Sequence, residues 1–275
     1  MENNLKKILK EIKEDNYRIP ASLDTNEIVM EMMHEIGNTD AELRDELIYS
    51  IMNHWIINNE ITTDKLKKLL VISMDDKHLF FKIGEMNTDS VFTRSFSILL
   101  IPLILTNNRQ HKFLSESEIK NIYMKVADYF IREKDLRGYV KDKGWAHSVA
   151  HAADALDDLA LCPEIEYKEL LYILDIIKSK VCINSYVYIN EEDERLVTAI
   201  ISIFNREIIK NEEFCEWIKS FSELKRTGRY PEDHNLVINV KNLLRSLYFR
   251  LIRLDDTEMI TEQIKDTLIE ISNFN

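Results

Sequence analysis

Asp135-Leu-Arg-Gly-Tyr-Val-Lys-Asp-Lys-Gly144 runs straight into Trp145-Ala-His-Ser-Val-Ala-His-Ala-Ala-Asp154 and on to Ala160. From Trp145 the spacing predicts a helix. Trp145, Val149, Ala152, Leu156 and Ala160 fall on one side of a 3.6-residue turn, and His147, His151, Asp154 and Asp158 form a strip on the other. Cys162-Pro163 ends it. Six of the chain's ten alanines lie between residues 146 and 160, which marks a place where helices approach closely or a ligand needs room. Gly138 and Gly144 punctuate the loop before it.

Outward from this stretch the same helical period recurs. Towards the N-terminus it predicts helices over residues 24–37, over 39–58 with a Thr39/Glu42 capping box, from Thr62 or Thr63 to Ile72, over 91–106 bent at Pro102, and over 115–134 behind a Ser115/Glu118 box. Towards the C-terminus it predicts helices over 167–182, 190–204, 212–226, 233–254 and from Thr257 onward, with Tyr186-Val-Tyr-Ile189 the one strand-like run. With an amphipathic helix around Leu5, Leu9 and Ile12, this makes roughly twelve helices and no sheet. Paired, they begin at intervals of roughly 40 to 50 residues, the spacing of HEAT or armadillo units, so the expectation is an all-α helical-repeat solenoid. A compact bundle competes with it. The expected organisation is one domain over 1–275, with an N-terminal helix and lead-in over 1–20 and paired helices over 24–272.

Composition narrows the function classes. The chain has 275 residues, 45% hydrophobic and 31% charged, and a formal net charge of −12. The acidic residues are scattered, and no basic stripe is present to displace counterions from a nucleic-acid backbone, so a nucleic-acid partner is not expected. Three widely spaced cysteines fit neither a disulfide framework nor a zinc motif. The N-terminus has no apolar signal core, and Ile98–Leu105 is about half a membrane span of roughly 20 residues. The expectation is a cytoplasmic protein that does not enter a membrane.

Three readings of the central stretch follow from its residues. His147 and His151, four apart, with Asp154 one turn on, have the spacing to share a divalent metal, although Ser148 stands where the zincin motif places glutamate. With Glu194 as general base, that reading is a metal-dependent hydrolase. Alternatively the helix N-terminus, with Arg137, Lys143 and His147 near it and glycines that admit close approach, is an anion site. The third reading is architectural: alanines for close packing and histidines bonded to carboxylates, in an interaction scaffold without a ligand site.

One pattern favours a binding role. Arg94, His147/His151, Glu194/Arg195 and Asn242/Arg245 each lie on the second helix of a pair, and second helices line one surface of a solenoid. The leading expectation is a binding module whose groove takes a small anionic ligand or an acidic peptide. Arg94, Arg137, Lys143, His147, His151, Arg195 and Arg245 would supply the polar contacts, and Tyr139 and Trp145 the apolar walls.

The chain also resembles a bacterial family catalogued as domain of unknown function 2785. The resemblance is carried by Asp89-Ser-Val-Phe-Thr-Arg-Ser-Phe-Ser97, Glu133-Lys-Asp-Leu-Arg-Gly-Tyr-Val140, Lys143-Gly-Trp-Ala-His-Ser-Val-Ala-His-Ala-Ala-Asp154, Glu192-Asp-Glu-Arg-Leu196 and Leu244-Arg-Ser-Leu-Tyr-Phe-Arg-Leu251, with Asn38-Thr-Asp-Ala-Glu-Leu-Arg-Asp45. It implies an all-helical single domain and points to these positions as the site. It transfers no catalytic role.

Overall fold

The computed structural model describes residues 2–274, with side chains from residue 4 onward. The fold is all-α. Among the described residues the only sheet is a two-stranded antiparallel ladder, β1 (Tyr139–Val140) with β2 (Gly144–Trp145). The chain packs as two compact units, Met1–Cys162 and Pro163–Asn275.

In the first unit α1 (Glu2–Glu14) buries Leu5, Leu9 and Ile12, and α2 (Thr25–His34) buries Ile28, Met32 and Met33. A π-helical stretch, Glu42–Tyr49, runs directly into α3 (Ser50–Ile57), and α4 (Thr63–Ser73) follows. The expected cap at Thr39 is displaced to Asp40, whose Oδ1 accepts the Glu42 and Leu43 N–H groups at 3.0 and 3.3 Å. An anionic oxygen suits the positive end of a helix better than a hydroxyl does.

The expected helix over 91–106 is two helices, α5 (Ser90–Ile98) and α6 (Leu100–His111), with the break at Leu99. Pro102 has no N–H to give Ile98. Breaking at Leu99 places the proline in the first turn of α6, where no intrahelical partner is required. Ser90–His111 together is long and apolar enough to cross a membrane, but 89% of its most apolar window is buried inside the protein, as a core helix would be.

The Ser115/Glu118 capping box opens α7 (Glu116–Arg132) as expected. Beyond the β1–β2 hairpin, α8 (Ser148–Ala160) packs on α5, α6 and α7. Ala150, Ala152, Ala153, Ala155 and Ala160 are all buried there. With only a methyl group at each of these positions, three neighbouring helices close onto a single one, which accounts for the alanine run.

The second unit comprises α9 (Tyr167–Val181), α10 (Glu192–Phe204), α11 (Asn211–Lys219) with a 3₁₀ turn over Ser220–Ser222, α12 (Glu232–Leu251) and α13 (Glu258–Ile271). In it α10 packs on α12, and α13 on both α11 and α12. The helix expected over 212–226 stops early, at Lys219, and passes through the 3₁₀ turn; further on the chain turns at Gly228 (φ +78°), where the Asp233 carboxylate takes up the Thr227 and Gly228 N–H groups at 2.7 Å each. Tyr186–Ile189 is not a strand but a loop pinned by buried Asn239, which accepts the Tyr188 N–H at 3.0 Å and donates to the Tyr186 carbonyl at 2.9 Å. The roughly twelve expected helices thus correspond to α1–α13, with one of them divided.

Candidate functional site

The helix expected from Trp145 begins three residues later. Trp145 belongs to the hairpin, and His147 is the N-cap of α8 in the left-handed region, φ 45° and ψ 35°. Long-range bonds outweigh the local helical pattern here. The Ala146 N–H donates to the Gly138 carbonyl at 2.8 Å, and the His147 N–H to the Arg137 carbonyl at 3.1 Å. Ser148 Oγ then reaches back to the Asp135 carbonyl at 2.5 Å.

Buried charge holds this hairpin from below. Arg94, 0% exposed, makes a two-pronged bond to Glu133, Nε to Oε2 at 2.6 Å and Nη2 to Oε1 at 2.9 Å, and Nη1 donates to the Phe81 carbonyl and to Ser90 Oγ. Burial pulls the Arg94 guanidinium downward, but its bonds to Glu133 outweigh this and hold it above its ordinary value. The spare lone pairs of Glu133 accept the Lys134 and Asp135 N–H groups at 2.9 Å each. Buried Asp135 pairs with Arg137 through Nε at 2.8 Å and Nη2 at 2.6 Å, and accepts the Asn87 N–H at 2.8 Å. Lys143 Nζ lies 2.7 Å from both oxygens of Asp89.

Arg44 completes the scaffold. It is 0% exposed, with its guanidinium carbon 4.3 Å from the Phe92 ring centre and 4.7 Å from that of Phe96. Its Nη2 donates to the carbonyls of Lys143 at 2.7 Å and Trp145 at 3.3 Å, and its Nη1 to that of Asn38 at 2.5 Å. Burial lowers its pKa to about 10, so it remains a cation at neutral pH, met by π faces and carbonyl dipoles instead of a carboxylate.

Gly144 is explained by this contact. At φ +79°, a Cβ there would lie 2.8 Å from Ala41 Cβ and 3.2 Å from Arg44 Nη2. The glycine expected to admit an anion admits Arg44. Gly138 is not in the left-handed region, and its carbonyl takes the Ala146 and His147 N–H groups.

What this scaffold presents is aromatic. Tyr139 is 58% and Trp145 38% exposed, edge to face at 5.1 Å between ring centres. Trp145 stacks on His147 at 4.4 Å, and His147 meets His151 at 5.9 Å. His151 packs edge to face on Phe96 at 5.2 Å, and its Nδ1–H donates to the Ser95 carbonyl at 3.0 Å. The ladder of rings runs from the surface to the core. His151 is its buried inner step, and Asp154 lies half-buried on α8.

Among the described residues no group of three His, Cys, Asp or Glu side chains is arranged to hold a metal ion. The expected His147, His151 and Asp154 triad is not such a cluster, because His147 leaves the helix at the N-cap and the His151 ring is engaged with Ser95 and Phe96. Asp158, the fourth member of the strip, is bound to Arg109 Nη2 at 2.5 Å and Thr106 Oγ1 at 2.9 Å.

The remaining expected residues lie in the second unit. Glu194 and Arg195 are on α10, with the Glu194 carboxylate 3.8 Å from Arg250. Asn242 and Arg245 are on α12, where Arg245 is exposed and borders two hollows against α13. Arg44 lies in the Asn38–Asp45 segment that carries the family resemblance but has no role in the expected groove, although it stands four residues before Ile48 and seven before Ile51, in line with buried positions of its helix. An arginine on an apolar stripe was the available signal. Glu133, Asp135 and Asp89 lie in segments that carry the resemblance, but their role as the carboxylates that neutralise the expected cations was not read from the sequence.

The fold and site define an all-helical protein built around an aromatic hairpin on a buried ionic scaffold. The chain belongs to the family described as "Protein of unknown function (DUF2785)", whose profile matches residues 79–249 and so takes in the hairpin, α8 and most of α12. No curated protein and no solved structure matches the chain.

Proposed function

We propose that the protein is a binding module whose recognition element is the hairpin over 139–145, and that its ligand is a peptide segment of a partner protein. One observation carries this. Fully buried charged groups, costly to desolvate, are spent on fixing a short hairpin whose product is a pair of exposed aromatic rings. Tyrosine and tryptophan combine a large apolar face with a polar tip, and they are the residues on which protein interfaces most often depend.

The balance of charge weighs against a small free anion. Arg94, Arg137 and Lys143 each already face a carboxylate. The exposed Lys141 and Asp142 at the turn offset one another. Stacking of alternate helices, α3 on α6 on α8 in the first unit and α10 on α12 in the second, supports the paired-helix repeat reading.

Acrylamide quenching tests the proposal, because Trp55 and Trp217 are 0% and 8% exposed and the quenchable signal belongs to Trp145. Peptides selected from a displayed random library on the whole chain are expected to protect Trp145, and a Tyr139→Ala, Trp145→Ala double variant of unchanged melting temperature is expected to lose them. If phosphorylated metabolites protect Trp145 and no selected peptide does, the anion reading replaces this one.

A further inference from the structure

We propose that the face shared by α12 and α13, in the second unit, is a docking groove for an acidic amphipathic helix of a partner protein. Phe249 on α12 is 59% exposed, Ile269 on α13 is 67%, and Phe274 beyond α13 is 82%. Large apolar side chains gathered in this way mark interaction surfaces.

The patch carries two shallow hollows. One shallow hollow of about 340 Å³ is lined by Lys241, Arg245, Leu268, Ile269 and Phe274 among others. A second, of about 350 Å³, is lined by Arg245, Tyr248, Phe249, Lys265 and Leu268. Arg245 and Leu268 are common to both. The two hollows are lined by successive turns of α12, Lys241 and Arg245 in one and Arg245, Tyr248 and Phe249 in the other, and turns of a helix lie ~5.4 Å apart. That is the spacing of side chains at i and i+4 on a helix laid along the groove.

Charge selects the occupant. No carboxylate lines either hollow, in a chain of net charge −12. Lys241 donates to Ser272 Oγ at 3.1 Å, and Lys265 pairs with Glu262 at the rim at 2.5 Å. Arg245 has no ion pair among the described residues, and it stands between the hollows, where a carboxylate between two apolar anchors would meet it. A two-fold dimer through this face would bring Lys241, Arg245 and Lys265 against their own like. A lipid surface is flat where this face is hollowed.

Fluorescence anisotropy on the full chain tests the proposal with three fluorescein-labelled synthetic helices of about four turns. Each carries leucines four apart, with glutamate, lysine or glutamine between them. The glutamate peptide is expected to bind about tenfold or more tightly than the lysine peptide. Arg245→Glu is expected to reverse that order and Phe249→Ala to weaken it. Both substitutions are at exposed positions, so an unchanged melting temperature separates lost docking from lost folding. Tyr139→Ala with Trp145→Ala leaves this binding intact, so failure here is distinguishable from failure of the hairpin reading. Equal binding of the acidic and basic peptides, or no binding of either, overturns the proposal. Two other outcomes also overturn it, each reassigning the face: sedimentation with phosphatidylserine vesicles that Arg245→Glu abolishes, or a concentration-dependent dimer that Arg245→Glu dissolves.

Discussion

Arg44 and Arg94 are both fully buried, and each meets the cost of burial differently. Arg94 has a carboxylate in fork geometry, the arrangement in which a guanidinium gains most. Arg44 has two phenyl faces and three carbonyls. Removing one partner of a buried pair leaves the other charge uncompensated, so Glu133→Ala is expected to cost about 3 to 5 kcal/mol in urea unfolding. Arg94→Met with Glu133→Leu is expected to cost less than the sum of the single changes, since no charge is then left stranded. Additive losses would show that the two side chains act separately. Arg44→Met leaves the Lys143 and Trp145 carbonyls without their donor. Its cost is expected at about 2 to 3 kcal/mol, with increased acrylamide quenching of Trp145 as the hairpin loosens. The sequence placed Arg94 on a second helix as a candidate polar contact, but its partner lies 39 residues away and no spacing rule reaches it.

Among the elements, helices were legible and the hairpin was not. Apolar period and caps placed most of the helices within a few residues, because a helix's bonds are local and its buried face repeats every 3.6 residues. Trp145-Ala-His147 keeps that period and still forms a strand and an N-cap, because its partners are Gly138, Arg137 and Arg44, the last from 101 residues upstream. Arg94, Arg137 and Lys143, expected to meet a ligand, are each paired with a carboxylate and serve as supports of this hairpin. Two glycines separate fit from conformation. Gly144 and Gly84 both have positive φ, +79° and +94°, yet a Cβ at Gly84 meets nothing within 4 Å while one at Gly144 strikes Ala41 and approaches Arg44. Gly84→Ala is therefore expected to cost about 1 kcal/mol, the left-handed penalty alone, and Gly144→Ala about 2 to 3 kcal/mol. Only Gly144→Ala is expected to shift the Trp145 emission. Equal costs in chemical denaturation, with Trp145 unmoved, would mean that Arg44 does not set the hairpin's position.

Across the whole molecule the charge balance makes stability depend on pH with a definite sign. The Ser115 N–H and Lys67 bind the Glu118 carboxylate and hold its pKa at about 2, against an ordinary 4.5. Asp40, Glu42, Glu85, Glu213 and Asp233 are lowered as well, the first two chiefly by lysines of α1. A carboxylate lowered by folding contributes stability above its unfolded pKa and loses it as pH falls towards the folded value. Asp45 and Glu192 run the other way, raised chiefly by burial, so their protonation on acidification relieves a cost. With six groups lowered and two raised, and with self-repulsion easing as pH approaches the isoelectric point of about 5.2, the melting temperature is expected to rise modestly from pH 8 to the mid-fives. It then falls, most steeply between pH 4.5 and about 2, the Glu118 window. Differential scanning fluorimetry at constant ionic strength measures the profile. Glu118→Gln is expected to lower the melting temperature at pH 7 and to shrink the acid loss, since a neutral side chain has no charge to give up. A Glu118→Gln profile parallel to the parent's throughout would place the acid sensitivity elsewhere, with Asp40 and its Lys6 partner the next pair to vary.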